Sequence, residues 1–413
     1  MIKFIRIFLV LLVLGNLFLA AWYVLHQDIY FYADIGRDFL LFGEIAQKKL
    51  VLIGPRTSTA GLFHGPLWLY LNYPAYLLGQ GNPLFVGWYW ILIIAGGLLL
   101  NFWVAKKIFN NFVAYLYVLL LSIYIVFDAK SLIHPDGALL LLPFFFFLFV
   151  KYVETLKFRF LAGHFFVLGL LAHLEMAPGL PLIFLSSLAA FYIICRRGKF
   201  SHLAAFLFLA VSLSNFIIFD LRHDFLQVKS IIRNLSPSSG DPKFTYGSII
   251  LERVKNITHL QLVRNGQDLS NLLSFLVFFG LIFWQIKNNK YKTVYVCFLY
   301  FYLGFFAISL SQKHIILSHQ FLPFFGLIFL IFTSLATSKY GKIFLIFFFY
   351  VYLSNFNYTL SYLGQSQNFF GKDKNSWNFL LNMSRKVYES GDKEFGYFVY
   401  SPDVFAYEPR YAM

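Results

Sequence analysis

Residues 83–104 read PLFVGWYWILIIAGGLLLNFWV, with Lys106 and Lys107 just beyond. No charged side chain interrupts them. As a helix rising ~1.5 Å per residue they reach about 33 Å, enough to cross a hydrocarbon core of ~30 Å. Comparable apolar runs lie near Phe4–Leu25, Phe112–Phe127, Gly137–Phe149, Leu161–Leu174, Leu180–Ile194, Leu203–Phe219, Leu272–Ile286, Thr293–Leu310, Phe321–Ala336 and Ile343–Tyr362. Hydrophobic residues make up 59% of the 413 and charged residues only 13%. A soluble domain could not hide so much apolar surface. The expectation is an all-α polytopic membrane protein with about 11 transmembrane helices. The runs at 137–149 and 161–174 are short, so their helices must extend into polar flanks or tilt.

Charge sets the direction of threading. Lys3 and Arg6 precede the first run, which predicts a cytoplasmic N-terminus and an external C-terminus. The inside connections then hold 15 Lys and Arg, with Glu154 as the one acid, while the other 18 of the 19 acidic residues fall outside. The net charge of +15 is therefore topology and requires no nucleic acid partner. The first run is longer than a signal-peptide core and reads as an uncleaved anchor, although Ala20 and Ala21 offer a weak cleavage site. Cys195 and Cys297 form neither a disulfide framework nor a metal spacing. The absence of a Gly-rich phosphate loop argues against an ATP-driven pump.

Every cytoplasmic connection is short, whereas three outer segments are long: 27–82, 220–271 and the tail 364–413. Residues 1–363 form the expected transmembrane domain. The tail carries a strand-like Phe395–Tyr400, and either begins a larger outer domain or packs on the outer loops. Function is expected at the outer face, on loops held by a rigid scaffold.

In the first outer loop, Asp34-Ile35-Gly36-Arg37-Asp38 opens a helical stretch to Leu50. Leu40, Leu41, Ile45 and Leu50 oppose Glu44, Gln47, Lys48 and Lys49, the pattern of a helix lying flat at the interface. A second amphipathic stretch runs from Leu67 to about Leu78. Asp34 and Asp38 share a helical face, so their charges repel, and Arg37 beside them offsets part of that. A carboxylate here can take a proton from a hydroxyl or amine nucleophile. Asp34 is equally a natural N-cap for a helix starting at Ile35. His64, before Gly65-Pro66, reads as a site residue or as an interfacial polar residue.

The order of these features resembles the GT-C glycosyltransferases, and within them the bacterial enzymes similar to dolichyl-phosphate-mannose-protein mannosyltransferases. Asp34 falls where that family carries its catalytic Asp. The following Glu is Ile35 here, which leaves Asp38 as the second carboxylate. His64-Gly65-Pro66-Leu67 resembles the (Lys/His)-Pro-Pro-Leu whose basic residue approaches the donor phosphate. Ser318-His319-Gln320-Phe321-Leu322-Pro323 resembles the family's (Arg/His)-Tyr-x-Leu-Pro. The resemblance implies a polyprenyl-phosphate sugar as donor, a lipid, glycan or protein as acceptor, and residence in the bacterial cytoplasmic membrane.

Further polar groups collect at the same outer face. They are Asp128, Lys130, His134 and Asp136; His173 and Glu175; Asp220, Arg222, His223 and Asp224; and Lys313, His314 and His319. Ionisable groups near membrane depth tend to mark a site. Arg56, Arg222, His223 and Lys313 join His64 as candidate phosphate partners. The His, Asp and Glu collection offers donors for a divalent metal, but its spacing matches no obligatory cofactor motif. Membrane lipids contact the apolar faces. Two other readings are a lipid or small-solute transporter and a non-enzymatic scaffold. A transporter would place its polar residues at the midplane and repeat internally, and neither is seen.

Overall fold

The structure, a computed structural model, describes residues 2–48, 50–235, 245–264, 268–288, 290–311, 316–389 and 405–413. Among them the regular elements are helices, and each predicted apolar run is helical, with the run Leu203–Phe219 broken in two. Pro83–Ile108, His134–Thr155, Met176–Arg197, Lys292–Ser309 and Gly341–Asn368 are long and apolar enough to cross a membrane. Phe200–Ser212 and Ser214–Arg222 make a sixth span if the bent pair is counted as one. The remaining runs correspond to shorter apolar helices: Phe4–Ala20, Asn111–Ile125, Phe158–Leu174, Asn271–Lys287 and Pro323–Thr337. Length and composition thus mark fewer spans than the apolar runs count. The two short runs do extend into polar flanks, as helices His134–Thr155 and Phe158–Leu174.

Local sequence explains where these helices begin and end. Asn82 accepts from Leu84 N at 2.9 Å ahead of Pro83 at the first helical position, and Lys106 and Lys107 face the negative end of that helix. Asn110 caps the next helix through Val113 N at 3.0 Å. Gly198, in the left-handed region at φ 62°, closes Met176–Arg197.

Of the five long helices the most enclosed is His134–Thr155, with 72% of its apolar window buried against 33% for Pro83–Ile108. Its neighbours come close because they lack side chains at the crossings. A Cβ on Gly97 would meet Leu140 Cδ1 at 2.6 Å, and one on Gly326 would meet Leu139 O at 2.6 Å. Asn101 Nδ2 donates to Leu140 O at 2.8 Å and Tyr117 OH donates to Asn101 Oδ1 at 2.8 Å, so the crossing is also hydrogen-bonded. This central helix carries His134 and Asp136 in its first turn.

The bent pair turns by 61° between Ser212 and Ser214. The break frees the Ser212 carbonyl, which accepts from His173 Nε2 at 2.8 Å. Beyond it, Asn215 Nδ2 donates to Leu52 O at 2.7 Å and so ties the broken span to the segment 27–82.

The segment 27–82 contains two helices, Ala33–Lys48 and Leu67–Leu78. The tail packs on it. Asp28, fully buried, accepts from Ile29 N at 2.9 Å, Gly371 N at 3.1 Å, Ser376 Oγ at 2.6 Å and Asn378 N at 3.2 Å, which docks the helix Trp377–Glu389. At the chain end Gly36 lies so near Glu408 that an added Cβ would sit 2.9 Å from its backbone N. Phe395–Tyr400 lies outside the described residues. Asp28→Ala strands the N–H groups of Ile29 and Asn378 and leaves Gly371 N with Ser376 Oγ alone, so a loss of about 2–4 kcal/mol is expected, with proteolytic cleavage beginning around residues 371–389. An unchanged melt and cleavage pattern in detergent would show that Asp28 does not anchor the tail.

Candidate active site

The helix Ala33–Lys48 begins before Asp34, so Asp34 lies in the first turn and is not the N-cap. Arg37 Nη1 donates to Asp34 Oδ1 at 2.6 Å, while its Nε and Nη2 both donate to Asp38 Oδ1, at 3.0 and 2.8 Å. The two carboxylates therefore share one guanidinium, as their helical spacing predicts. They differ in access. The Asp34 side chain is 46% exposed, whereas that of Asp38 is 3% exposed. Burial pushes the Asp38 carboxyl up to about 6 even though Arg37 pulls it down. Asp38 thus orients Arg37, and Arg37 orients Asp34, the carboxylate a substrate can reach.

His64 is set by a tight loop. Gly54 N donates to His64 O at 2.8 Å and His64 N to Pro55 O at 2.9 Å. Gly54 and Gly65 face each other so closely that a Cβ on Gly54 would lie 2.4 Å from Gly65 O. Gly65 also rides against His173: a Cβ there would meet the imidazole Nδ1 at 2.3 Å. The absence of both side chains lets the loop press His64 into the protein, where it is buried against His134 with ring centroids 4.2 Å apart. Burial holds its imidazole down to about 3, with Arg37 and His319 adding repulsion. A neutral imidazole is a weak countercharge for a phosphate. Glu175 comes to the same place from the connection before Met176–Arg197, and burial pushes its carboxyl up to about 8.

A cavity of about 410 Å³ opens beside this cluster. Tyr30, Tyr32, Asp128, Lys130, Asp136, Arg264 and His319 are among its walls. Asp34 stands two residues from Tyr32 and acts electrostatically on both Tyr32 and His319. Asp136 is held inward, its Oδ2 accepting from Ile133 N at 2.9 Å. The cations among the described walls are Lys130 and Arg264. The Arg264 guanidinium lies 4.2 Å from the centroid of Tyr124 and 4.5 Å from that of Phe127, and Nη2 donates to Tyr124 O at 2.6 Å. Lys130 Nζ sits 4.4 Å from the rings of Phe127 and Tyr362 and donates to the Tyr362 hydroxyl.

The other predicted cations sit elsewhere. Arg56 is exposed and pairs through its backbone with Phe63. Arg222 and His223 are exposed at the end of the broken span, with His223 stacked on Phe219 at 4.1 Å. Nearby Asp220 is structural, accepting from Gln227 N and Val228 N at 2.9 and 3.1 Å to cap the helix Leu226–Leu235. Lys313 lies outside the described residues. Arg264 was not among the sequence candidates. Its signal was an arginine just before a span on the outer side, where the inside bias of basic residues leaves it unexplained.

No family model and no curated protein matches this chain. Solved structures do. The ArnT protein of Cupriavidus metallidurans, bound to undecaprenyl phosphate, superposes with a TM-score of 0.57 at 13% identity, over 98% of this chain and 74% of that one. The Archaeoglobus fulgidus oligosaccharyltransferase in its complex with Zn and sulfate gives 0.51 at 12% identity, over 97% of this chain and 57% of that one. Its apo form gives 0.50 at 13%, over 98% and 60%. At these identities the likeness extends to the fold, which this chain shares with ArnT and the oligosaccharyltransferase.

Proposed function

We propose that this protein is an integral-membrane glycosyltransferase. It takes a sugar from a polyprenyl-phosphate-linked donor and passes it, with inversion, to a lipid, glycan or protein acceptor on the extracytoplasmic face. The observation that carries the reading is the cavity: on a GT-C fold, it is walled by aromatic-backed cations and by Tyr32, two residues before the exposed carboxylate Asp34, which Arg37 clamps. Asp34 takes the proton of the acceptor nucleophile as that atom attacks the anomeric carbon. The bond from that carbon to the phosphate oxygen breaks on the opposite side, and the polyprenyl phosphate leaves with the electron pair. Arg264 and Lys130 meet the charge that develops on it. Undecaprenyl phosphate bound to a protein of this fold supports a polyprenyl-linked donor.

The expected setting is the bacterial cytoplasmic membrane, with the N-terminus inside and the C-terminus outside. Right-side-out vesicles containing the protein should release polyprenyl phosphate from a polyprenyl-phosphate sugar when a membrane-impermeant acceptor is added outside. A requirement for a soluble nucleotide sugar, with indifference to the lipid carrier, would overturn the donor assignment. Turnover only in inverted vesicles would overturn the sidedness.

A further inference from the structure

Behind the cavity wall three side chains converge from three separate parts of the chain. His64 comes from the pinched loop, His134 from the first residue of the central helix, and Glu175 from the turn before Met176–Arg197. One ligand atom of each lies within 4.8 Å of the others, and all three residues are buried. Two of the side chains are oriented by backbone contacts. His134 Nδ1 donates to Leu174 O at 2.5 Å, which leaves its Nε2 as the lone-pair nitrogen. Glu175 Oε1 accepts from Ala177 N at 3.4 Å. The remaining groups are unsatisfied: Glu175 Oε2 and His64 Nδ1 are buried and have no hydrogen-bond partner among the described residues. Glu175 Oε2 lies 3.7 Å from His134 Nδ1, too far for a hydrogen bond.

Burying a carboxylate oxygen and an imidazole nitrogen without partners is costly, and native structures avoid it unless something else completes the site. Among the described residues no protein donor fills the gap, and a dication bound by the three side chains would satisfy the orphaned atoms at once. We propose that His64, His134 and Glu175 form a binding site for a borderline transition-metal dication of the Zn²⁺ type. Two imidazoles and one carboxylate are the ligands such ions prefer, whereas Mg²⁺ and Ca²⁺ call for oxygen-rich sets. The bonds from His134 Nδ1 to Leu174 O and from Ala177 N to Glu175 Oε1 are the outer-shell supports that orient metal ligands. Three protein ligands leave a fourth position for water or another group.

The consequence is mechanical as well as electrostatic. The ion would staple the first outer loop to the central helix and to the turn before Met176–Arg197. It would also fix His64, which lies within electrostatic reach of Arg37 and His319. The inference stands on ligand geometry alone and does not depend on Asp34 being the base.

Metal content of the purified protein in nanodiscs is the test. Protein stripped with chelator, repleted with Zn²⁺ and desalted should carry about one Zn per chain, and the Co²⁺-loaded form should show the visible bands of a low-coordinate site. His64→Gln and Glu175→Gln should each lower the retained metal at least tenfold, while His173→Gln, next to the site, should not. Because a variant can misfold, wild-type protein gives an independent readout: Zn²⁺ should raise its melting midpoint over chelator, and Mg²⁺ should not. Less than about 0.1 Zn per chain in repleted wild type, or equal retention in the ligand variants, would overturn the proposal. Failure of the glycosyl-transfer assay in a protein that binds Zn²⁺ stoichiometrically would count against the functional reading and leave the metal site standing.

Discussion

Asp34→Asn is expected to lower turnover by roughly 10²–10⁴ while the protein still inserts and melts as the wild type does. Asparagine keeps the shape of the side chain and can still accept from Arg37 Nη1, which reaches Asp34 Oδ1 at 2.6 Å. What it loses is the capacity to take a proton. Asp34 sits in the first turn of Ala33–Lys48, so removing its charge also forfeits a favourable helix-dipole interaction of roughly 0.3–1 kcal/mol. That is too little to unfold the loop. Asp38→Asn should cost less, roughly tenfold, because Asp38 reaches the substrate only through Arg37. Arg37→Gln should resemble Asp38→Asn more than Asp34→Asn. The measurement is single-turnover transfer from a polyprenyl-phosphate sugar. Near-wild-type turnover in Asp34→Asn would end the general-base assignment, and loss confined to Asp38→Asn would move the base one helical turn.

How much of this was legible in the sequence depends on how local each feature is. Spans such as Pro83–Ile108 show in one window of sequence because lipid demands a continuous apolar run. The Asp34–Arg37–Asp38 clamp is also local, since one helical turn brings those side chains together. The broken span read as a single run, because nothing in its hydropathy marks the 61° bend that His173 stabilises from another helix. His64 was visible through the following Gly65-Pro66, but its meeting with His134 and Glu175 is set by tertiary packing at Gly54 and Gly65. Arg56, Arg222 and His223 were grouped with the site by side of the membrane alone. Sidedness does not place a residue within a face tens of ångströms wide. Arg264 is nearly silent in the sequence for the opposite reason: its stretch Gln261-Leu262-Val263-Arg264 carries no motif, and its surroundings come from Tyr124, Phe127 and Asp128 on another element.

Arg264 carries the second large expected effect. Its guanidinium is held face-on by two aromatic rings and its side chain is 13% exposed, so little reorganisation is needed when an anion arrives. Among the described residues its side chain engages Tyr124 O and, at 3.5 Å, Asp128 Oδ2, both through Nη2. Nε and Nη1 remain to grip a phosphate. Arg264→Gln should therefore lower kcat/KM for the lipid-linked donor by roughly 10²–10³, or about 2.7–4 kcal/mol of transition-state stabilisation. Arg264→Lys should recover part of it, restoring charge without the planar fork. A purely structural role predicts something else. Asp128 is half-buried, and its carboxyl is pushed up by that burial and drawn back down chiefly by Arg264. If Arg264 serves only as its partner, Arg264→Gln lowers the melting midpoint while product inhibition by polyprenyl phosphate keeps its wild-type strength. Weakened inhibition by polyprenyl phosphate in a variant that melts normally is the outcome expected of a donor-phosphate ligand, and unchanged inhibition would remove Arg264 from the site.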